Sequence, residues 1–318
     1  MGNVRLPPVI LLAGPTATGK TALAVELARR LDGEIVSADS MQIYRGCAIG
    51  TAQPSPMDLQ GIPCHLVGCV EPDQPWSVAD WLRATRRIVG EIQARGRAVL
   101  VAGGTGLYFK AFTDGLFEAQ GAGRHADVRR QLEAQWDADG GLSLRRRLHE
   151  VDPVAAARIH ANDRLRVVRA LEVYATTGRP VSLLQAEARC RHESAPARRF
   201  VLCASREELY RRINLRVEEM MEKGFAEEAS ALLRRGACED WPAMRALGYP
   251  QMLKLARGEL SRDQAVEQTQ RLTRRYAKQQ IVLLRKWPGA VWLDTAAGTR
   301  ENSENIEIIL EFSPAGSV

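Results

Sequence analysis

No apolar run in the 318-residue chain reaches the ~18 residues that a membrane-spanning helix needs, which excludes that kind of span. No C-x-x-C pair occurs either. The six cysteines (Cys47, Cys64, Cys69, Cys190, Cys203 and Cys238) are scattered. Cys64 and Cys69 flank His65, but the spacing does not suit zinc, and the expectation is reduced thiols in a cytoplasmic protein. Internal repeats and low-complexity tracts are missing. Met1 to Pro8 is too short, and too soon followed by a strand-like run, to read as a signal peptide. What remains is the composition of a soluble globular protein, 45% apolar and 26% charged. The net charge of +6 has the sign expected with an anionic partner. An excess of that size is also common on a plain solvated surface, so its distribution matters more than its total.

The first third alternates short apolar runs with helical patterns, as a parallel sheet with crossover helices requires. Strands are expected at Val9–Ala13, Glu34–Ser37 and Ala98–Ala102, with helices over Ala22–Leu31 and Ser77–Ala94. Further strands are expected at Phe200–Cys203 and Val291–Leu293, with a long helical stretch from Arg206 to Leu233 between them. From Leu116 to Arg198 strand-like runs give way to amphipathic helices such as Val128–Asp137, Leu142–Glu150 and Arg164–Thr176. The fold class is therefore α/β: a core of residues 1–116 and 199–318 built on a parallel sheet with flanking helices, carrying an all-helical insertion at 117–198. Glu301–Glu311 reads as a surface helix.

Gly14-Pro15-Thr16-Ala17-Thr18-Gly19-Lys20-Thr21 follows the first strand and opens the first helix. That is the G-x-x-x-x-G-K-[ST] pattern of a phosphate loop. Its glycines let backbone N–H groups turn toward phosphate oxygens, Lys20 adds a mobile positive charge, and the Thr21 hydroxyl suits Mg²⁺. Asp39 ends the second strand, at the sheet edge where ligands bind in such folds. There it could hold Mg²⁺ through water, accept a proton from a nucleophile, or simply cap a turn. Gly103-Gly104-Thr105-Gly106 ends the third strand at the same edge and presents one hydroxyl. The Asp that closes a hydrophobic strand in motor ATPases and GTPases is missing, which argues against a hydrolytic switch.

From Arg271 to Lys286 there are six basic residues and no acid. At helical spacing Arg271, Arg274, Arg275, Lys278 and Arg285 share a face. Solvation or salt bridging to an acidic neighbour would account for one charged face. A face without a compensating acid favours a polyanion, and Tyr276 within it could stack on a base. A second basic group, Arg164, Arg166 and Arg169, is partly matched by Glu172.

With these residues in place the chain resembles the tRNA dimethylallyltransferase family over nearly its whole length. The resemblance rests on Gly14–Thr21, Asp39-Ser40-Met41-Gln42-Ile43-Tyr44, Ile49-Gly50-Thr51-Ala52, Gly103-Gly104-Thr105 with Leu107-Tyr108, and Asp152-Pro153 with Ala155-Ala156. It continues through Asn162-Asp163, Arg166, Arg169-Ala170-Leu171-Glu172, Gly248-Tyr249 and Tyr276-Ala277-Lys278. It implies transfer of a dimethylallyl group from dimethylallyl diphosphate to the N6 amine of the adenosine 3′ of the anticodon, with Mg²⁺ as cofactor. The phosphate loop and Lys20 would hold the departing pyrophosphate, Asp39 would be the general base, and Thr105 the second catalytic position. The target base would be turned out of its stack to reach the site.

Ser40, Met41 and Gln42, with Asp39 and Thr105, would line the base's approach by the same resemblance. Arg129, Arg166, Arg169, Arg245, Gly248, Tyr249 and Lys278 would contact RNA, and the insertion would grip the anticodon stem-loop. A monomer with no membrane contact is expected. The chain departs from the family pattern at Arg164-Leu165, Pro250, Gln279, Gln53 and Cys64. The rival readings are a P-loop kinase of a small molecule or nucleotide, which would not need the acid-free basic helix, and a non-enzymatic RNA binder.

Overall fold

The computed structural model describes residues 9–115, 126–191, 197–295 and 299–312. Its elements in chain order are β1 (Val9–Ala13), α1 (Lys20–Arg30), β2 (Gly33–Ser37), α2 (Pro56–Leu59), β3 (Cys64–His65), α3 (Val78–Ala94), β4 (Ala98–Gly103) and α4 (Gly106–Asp114). Next come α5 (Ala126–Asp139), α6 (Leu142–Val151), α7 (Pro153–Arg158), α8 (Arg164–Thr177) and α9 (Val181–Arg191). The chain then returns to β5 (Ala197–Cys203), α10 (Arg206–Glu222), α11 (Phe225–Arg234), a 3₁₀ turn at Pro242–Arg245, α12 (Tyr249–Ala256), α13 (Arg262–Leu284), β6 (Val291–Asp294) and α14 (Thr299–Phe312). Two compact units result, Met1–Ala111 with Ala195–Val318, and Phe112–Ser194.

The sheet of the first unit is parallel throughout, in the order β3-β2-β4-β1-β5-β6. Its central strands are buried on both faces, which is why VILLA and AVLVAG read as continuous apolar runs. One face packs Ile10, Leu12, Leu100, Phe200 and Leu202 against Leu23 and Leu27 of α1. Ile306 and Ile309 of α14 are buried in that same core. The C-terminal helix is therefore not the surface helix its polar residues suggest: two isoleucines three apart suffice to cover α1, and Glu307 between them pairs with Arg30 at 2.6 Å.

The long helical stretch after β5 is two helices. Gly224, at φ +94°, stands between α10 and α11 and turns the chain so that Phe225 enters a second core with Ile43, Tyr249 and Met252. In the second unit, α5 to α8 enclose Leu132, Leu144, Leu148, Val167 and Leu171. Buried Asp152 caps α7 through the Ala155 N–H at 2.9 Å and accepts from the Ser182 N–H and hydroxyl at 2.8 and 2.6 Å. One carboxylate thus fixes the starts of two helices.

Candidate active site

Because every strand points the same way, the loops after β1, β2 and β4 collect at one edge of the sheet. The loop Gly14–Gly19 leaves β1 and runs into α1, whose first residues are Lys20 and Thr21. Pro15 has no N–H, and its carbonyl accepts both the Thr18 hydroxyl at 2.8 Å and Lys20 Nζ at 2.6 Å. Thr18 is buried and its hydroxyl is thereby used inside the loop. The Thr16 N–H turns away from the loop's hollow and donates to Gln280 Oε1 at 3.1 Å. Within the loop, Pro15 therefore has no amide to offer a phosphate, and the Thr16 amide is already engaged. Thr21 is exposed at the first turn of α1.

A second cation stands at the loop that sequence reasoning did not single out. Arg216 of α10 approaches the Thr16 hydroxyl at 3.4 Å. Burial pulls its pKa down, while Asp39 acts in the opposite sense. Lys20 is lowered to about 7, first by desolvation and then by the charge of Arg216, against a smaller opposing pull from Asp39. Neither cation forms an ion pair among the described residues. Two half-buried positive groups beside a phosphate loop suit an anion.

Asp39 serves partly as the turn residue that its Asp-Ser sequence allows. Its Oδ1 accepts from the Met41 N–H at 2.9 Å and the Gln42 N–H at 3.3 Å. Oδ2 accepts no hydrogen bond among the described residues. Thr105, at the end of β4, accepts from the Ser40 N–H at 3.0 Å and lies 3.4 Å from the Ser40 hydroxyl. The Thr105 N–H donates to the Ala38 carbonyl at 3.0 Å. Tyr276 of α13 is half-buried near Thr105 and Gln280, and burial pushes its hydroxyl up to about 12. Its ring is partly enclosed, which leaves it less free to stack on a base than its place in a basic run suggests.

Gln42 does not point its amide outward. Its Nε2 donates to the carbonyls of Thr51 and Ala52, at 3.3 and 2.8 Å, while Ser37 Oγ donates to its Oε1 at 3.3 Å. Gln53 donates to the Gln42 and Tyr44 carbonyls at 2.9 and 2.7 Å. On the far side of this loop Glu228 of α11 accepts from the Ile49 and Gly50 N–H groups at 2.8 and 2.9 Å. Met41 and Ser40 remain half-buried at the edge.

The residues expected to touch RNA divide into two sets. Tyr249 is fully buried, meets Phe225 edge-on at 5.0 Å, and donates to Glu228 Oε1 at 2.6 Å. Gly248 is buried beside Phe225. These two are corrected: they belong to a core and shape the loop from within, since a side chain with no exposed surface cannot meet RNA. Arg245 and Lys278 are exposed. On α13 the exposed residues Arg271, Arg275, Lys278 and Val282 form a stripe, and Arg285 and Lys286 extend it. Arg274 leaves that stripe and packs on α10, with Asn214 Oδ1 at 2.5 Å and the Tyr210 ring at 5.9 Å. Within the second unit, Arg166 is 75% exposed and 3.0 Å from Asp163, Arg129 pairs with Glu133 at 2.9 Å, and Arg169 lies 3.0 Å from buried Glu172. Among the described residues no cluster of three or more His, Cys, Asp or Glu could hold a metal.

A phosphate loop on the first strand of a parallel sheet, flanked by two half-buried cations and one carboxylate, defines a P-loop-type α/β fold. The IPP transferase family pattern matches residues 42–287, and the isopentenyl transferase pattern matches residues 7–66. A tRNA dimethylallyltransferase of Geobacter sulfurreducens is 45% identical over 289 residues, 91% of this chain and 92% of that protein. Another, from Geobacillus kaustophilus, is 45% identical over 91% of each chain. The full-length tRNA isopentenylpyrophosphate transferase of Bacillus halodurans superposes with a TM-score of 0.70 at 35% identity, covering 96% of each. A eukaryotic dimethylallyltransferase acting on tRNA has the same fold, with a TM-score of 0.80 at 24% identity over 96% of this chain and 79% of that one. The chain belongs to the tRNA dimethylallyltransferase family and is a prenyltransferase; nothing in these relationships supports a kinase.

Proposed function

We propose that this enzyme transfers the dimethylallyl group of dimethylallyl diphosphate to the N6 amine of the adenosine immediately 3′ of the anticodon in tRNA, releasing pyrophosphate. The observation that carries this reading is the juxtaposition of Lys20 and Arg216 at the phosphate loop, both half-buried and without an ion-pair partner among the described residues, with Asp39 close enough to act on each electrostatically. In the reaction the allylic C–O bond breaks, and its electron pair leaves on the diphosphate, where Lys20 and Arg216 meet the growing charge. The amine's lone pair forms the new N–C bond. Its proton passes to Asp39 Oδ2, the oxygen not committed to the turn, while Thr105 helps orient the reacting groups.

The Thr21 hydroxyl is a hard oxygen donor exposed beside the cradle, which fits Mg²⁺. A bound Mg²⁺ would supply further neutralisation of the leaving group. Ser40 and Met41 line the base's approach, with Gln42 holding the loop behind them. Arg245 and Lys278, together with Arg129, Arg166 and Arg169 on the 117–198 insertion, would contact the anticodon stem-loop. The enzyme acts as a monomer in the cytoplasm, in keeping with unpaired cysteines at five described positions.

The test is incubation with Mg²⁺, unmodified tRNA and either dimethylallyl diphosphate or ATP, followed by digestion and mass analysis of the nucleosides. Adenosine heavier by one dimethylallyl group is expected. Phosphate transfer from ATP without that product would refute the reading. Asp39→Ala should retain tRNA affinity while turnover falls by about 10²-fold or more; survival of turnover within a few-fold removes Asp39 as the base.

A further inference from the structure

The buried side of α13 holds Ala265, Thr269, Ala277, Gln280 and Leu284. Thr269 satisfies its hydroxyl on its own helix, donating to the Ala265 carbonyl at 2.7 Å. Gln280 is different: its carboxamide leaves the helix and uses both ends on other loops. Oε1 accepts from the Thr16 N–H of the phosphate loop at 3.1 Å, and Nε2 donates to the Gly104 carbonyl at 2.9 Å. A Cβ at position 104 would sit 2.3 Å from Gln280 Nε2, so only glycine lets the carboxamide in.

We infer that Gln280 is a positioning residue that sets the spacing between the phosphate loop and the Thr105 turn, holding diphosphate and acceptor amine in register. The inference rests on the transferase reading and deepens it. The two loops belong to neighbouring strands, β1 and β4, but beyond the strand ends no ladder bond joins them. Gln280 supplies that joint with a donor and an acceptor, both desolvated, and leaving either partner unmet is costly. Small errors in the relative placement of reacting groups reduce rates steeply. On the outward side of the same helix Arg275 and Lys278 are exposed and unpaired among the described residues. A loss of RNA contact is therefore separable from a loss of register.

The experiment compares wild type with Gln280→Met, which keeps the size and removes both hydrogen bonds, and with Gln280→Glu, which keeps only the acceptor. For Gln280→Met, kcat should fall by about 30-fold or more, and affinity for inorganic pyrophosphate by calorimetry should fall by about tenfold. tRNA affinity should stay within about twofold of wild type. Gln280→Glu should recover toward wild type as pH falls, because the protonated acid regains a donor for the Gly104 carbonyl. Should Gln280→Met fail to fold, this pH-dependent recovery decides alone. Pyrophosphate affinity and kcat both within about threefold of wild type in Gln280→Met, or no pH recovery in Gln280→Glu, overturns the inference. Wild-type protein without transferase activity would refute the functional reading instead, while pyrophosphate affinity would still decide the case for Gln280.

Discussion

The hydroxyl of Tyr249 meets a carboxylate oxygen of Glu228 at 2.6 Å, and that same oxygen accepts from the Gly50 N–H at 2.9 Å. A tyrosine with no solvent exposure therefore acts on the site at second hand, by holding the acid that holds the Ile49-Gly50 loop. Tyr249→Phe should lower stability by about 1–3 kcal/mol, because a half-buried acceptor loses a donor. Thermal unfolding reads this as a fall of a few degrees in Tm, and tRNA affinity in a filter-binding assay stays unchanged. A tenfold loss of RNA affinity at unchanged Tm would return Tyr249 to the RNA surface.

Gly50 lies so close to that core that a Cβ would sit 2.1 Å from the Phe225 ring and 2.6 Å from the Tyr249 ring. Gly50→Ala should destabilise by about 1–3 kcal/mol through overpacking. A Phe225→Leu partner change should recover part of that loss in a double-mutant cycle, since the two sites are in contact. Additive effects would show that the strain is relieved elsewhere.

Lys20 carries a pH signature. Without ligand its pKa is lowered to about 7, chiefly by burial. A diphosphate stabilises the charged ammonium and raises that pKa, so between about pH 7 and 10 binding must draw a proton from solution. Calorimetry of pyrophosphate binding at pH 8, in two buffers of different ionisation enthalpy, should register this uptake. Lys20→Arg, which stays charged throughout, should remove the lysine's share. In the apo protein the folded state binds fewer protons at Lys20 than the unfolded chain does, so this group's contribution to stability rises with pH across the same window.

The α13 stripe predicts a division between two neighbouring arginines. Arg275→Ala and Lys278→Ala should each weaken tRNA binding and reduce the slope of log affinity against log salt by about 1. Arg274→Ala should leave that slope alone and lower Tm, because Arg274 is occupied by Asn214 and Tyr210. Equal slopes for all three variants would refute the division.

Much of this was legible in the residues. The apolar runs before Gly14 and Gly103 are continuous because those strands are buried on both faces, and that pattern also marks the edge where ligands bind. What could not be read was whatever depends on contacts remote in sequence. Arg216 lies 200 positions from Thr16, and Gln280 lies 264 from it. No local period announces either. β3 is two residues and α2 four, too short to leave a periodic trace. The break at Gly224 was hidden because the residues on both sides are good helix formers. Arg274 counted as a surface charge by spacing alone, yet Asn214 and Tyr210 draw it inward. Tyr249 was misjudged for the opposite reason: the family resemblance set it against RNA, and nothing in the residues around it, Gly248 and Pro250, tells that its ring is enclosed.

The turn at Asp39 makes its two carboxylate oxygens unequal, one fastened to the Met41 and Gln42 amides and the other unengaged. In the proposed reaction such a group is a directional reagent, able to take a proton from one side only. The arriving amine must then present its hydrogen along that single bearing. If Asp39 is the base, the direction of proton transfer is set by the backbone that fastens the acid.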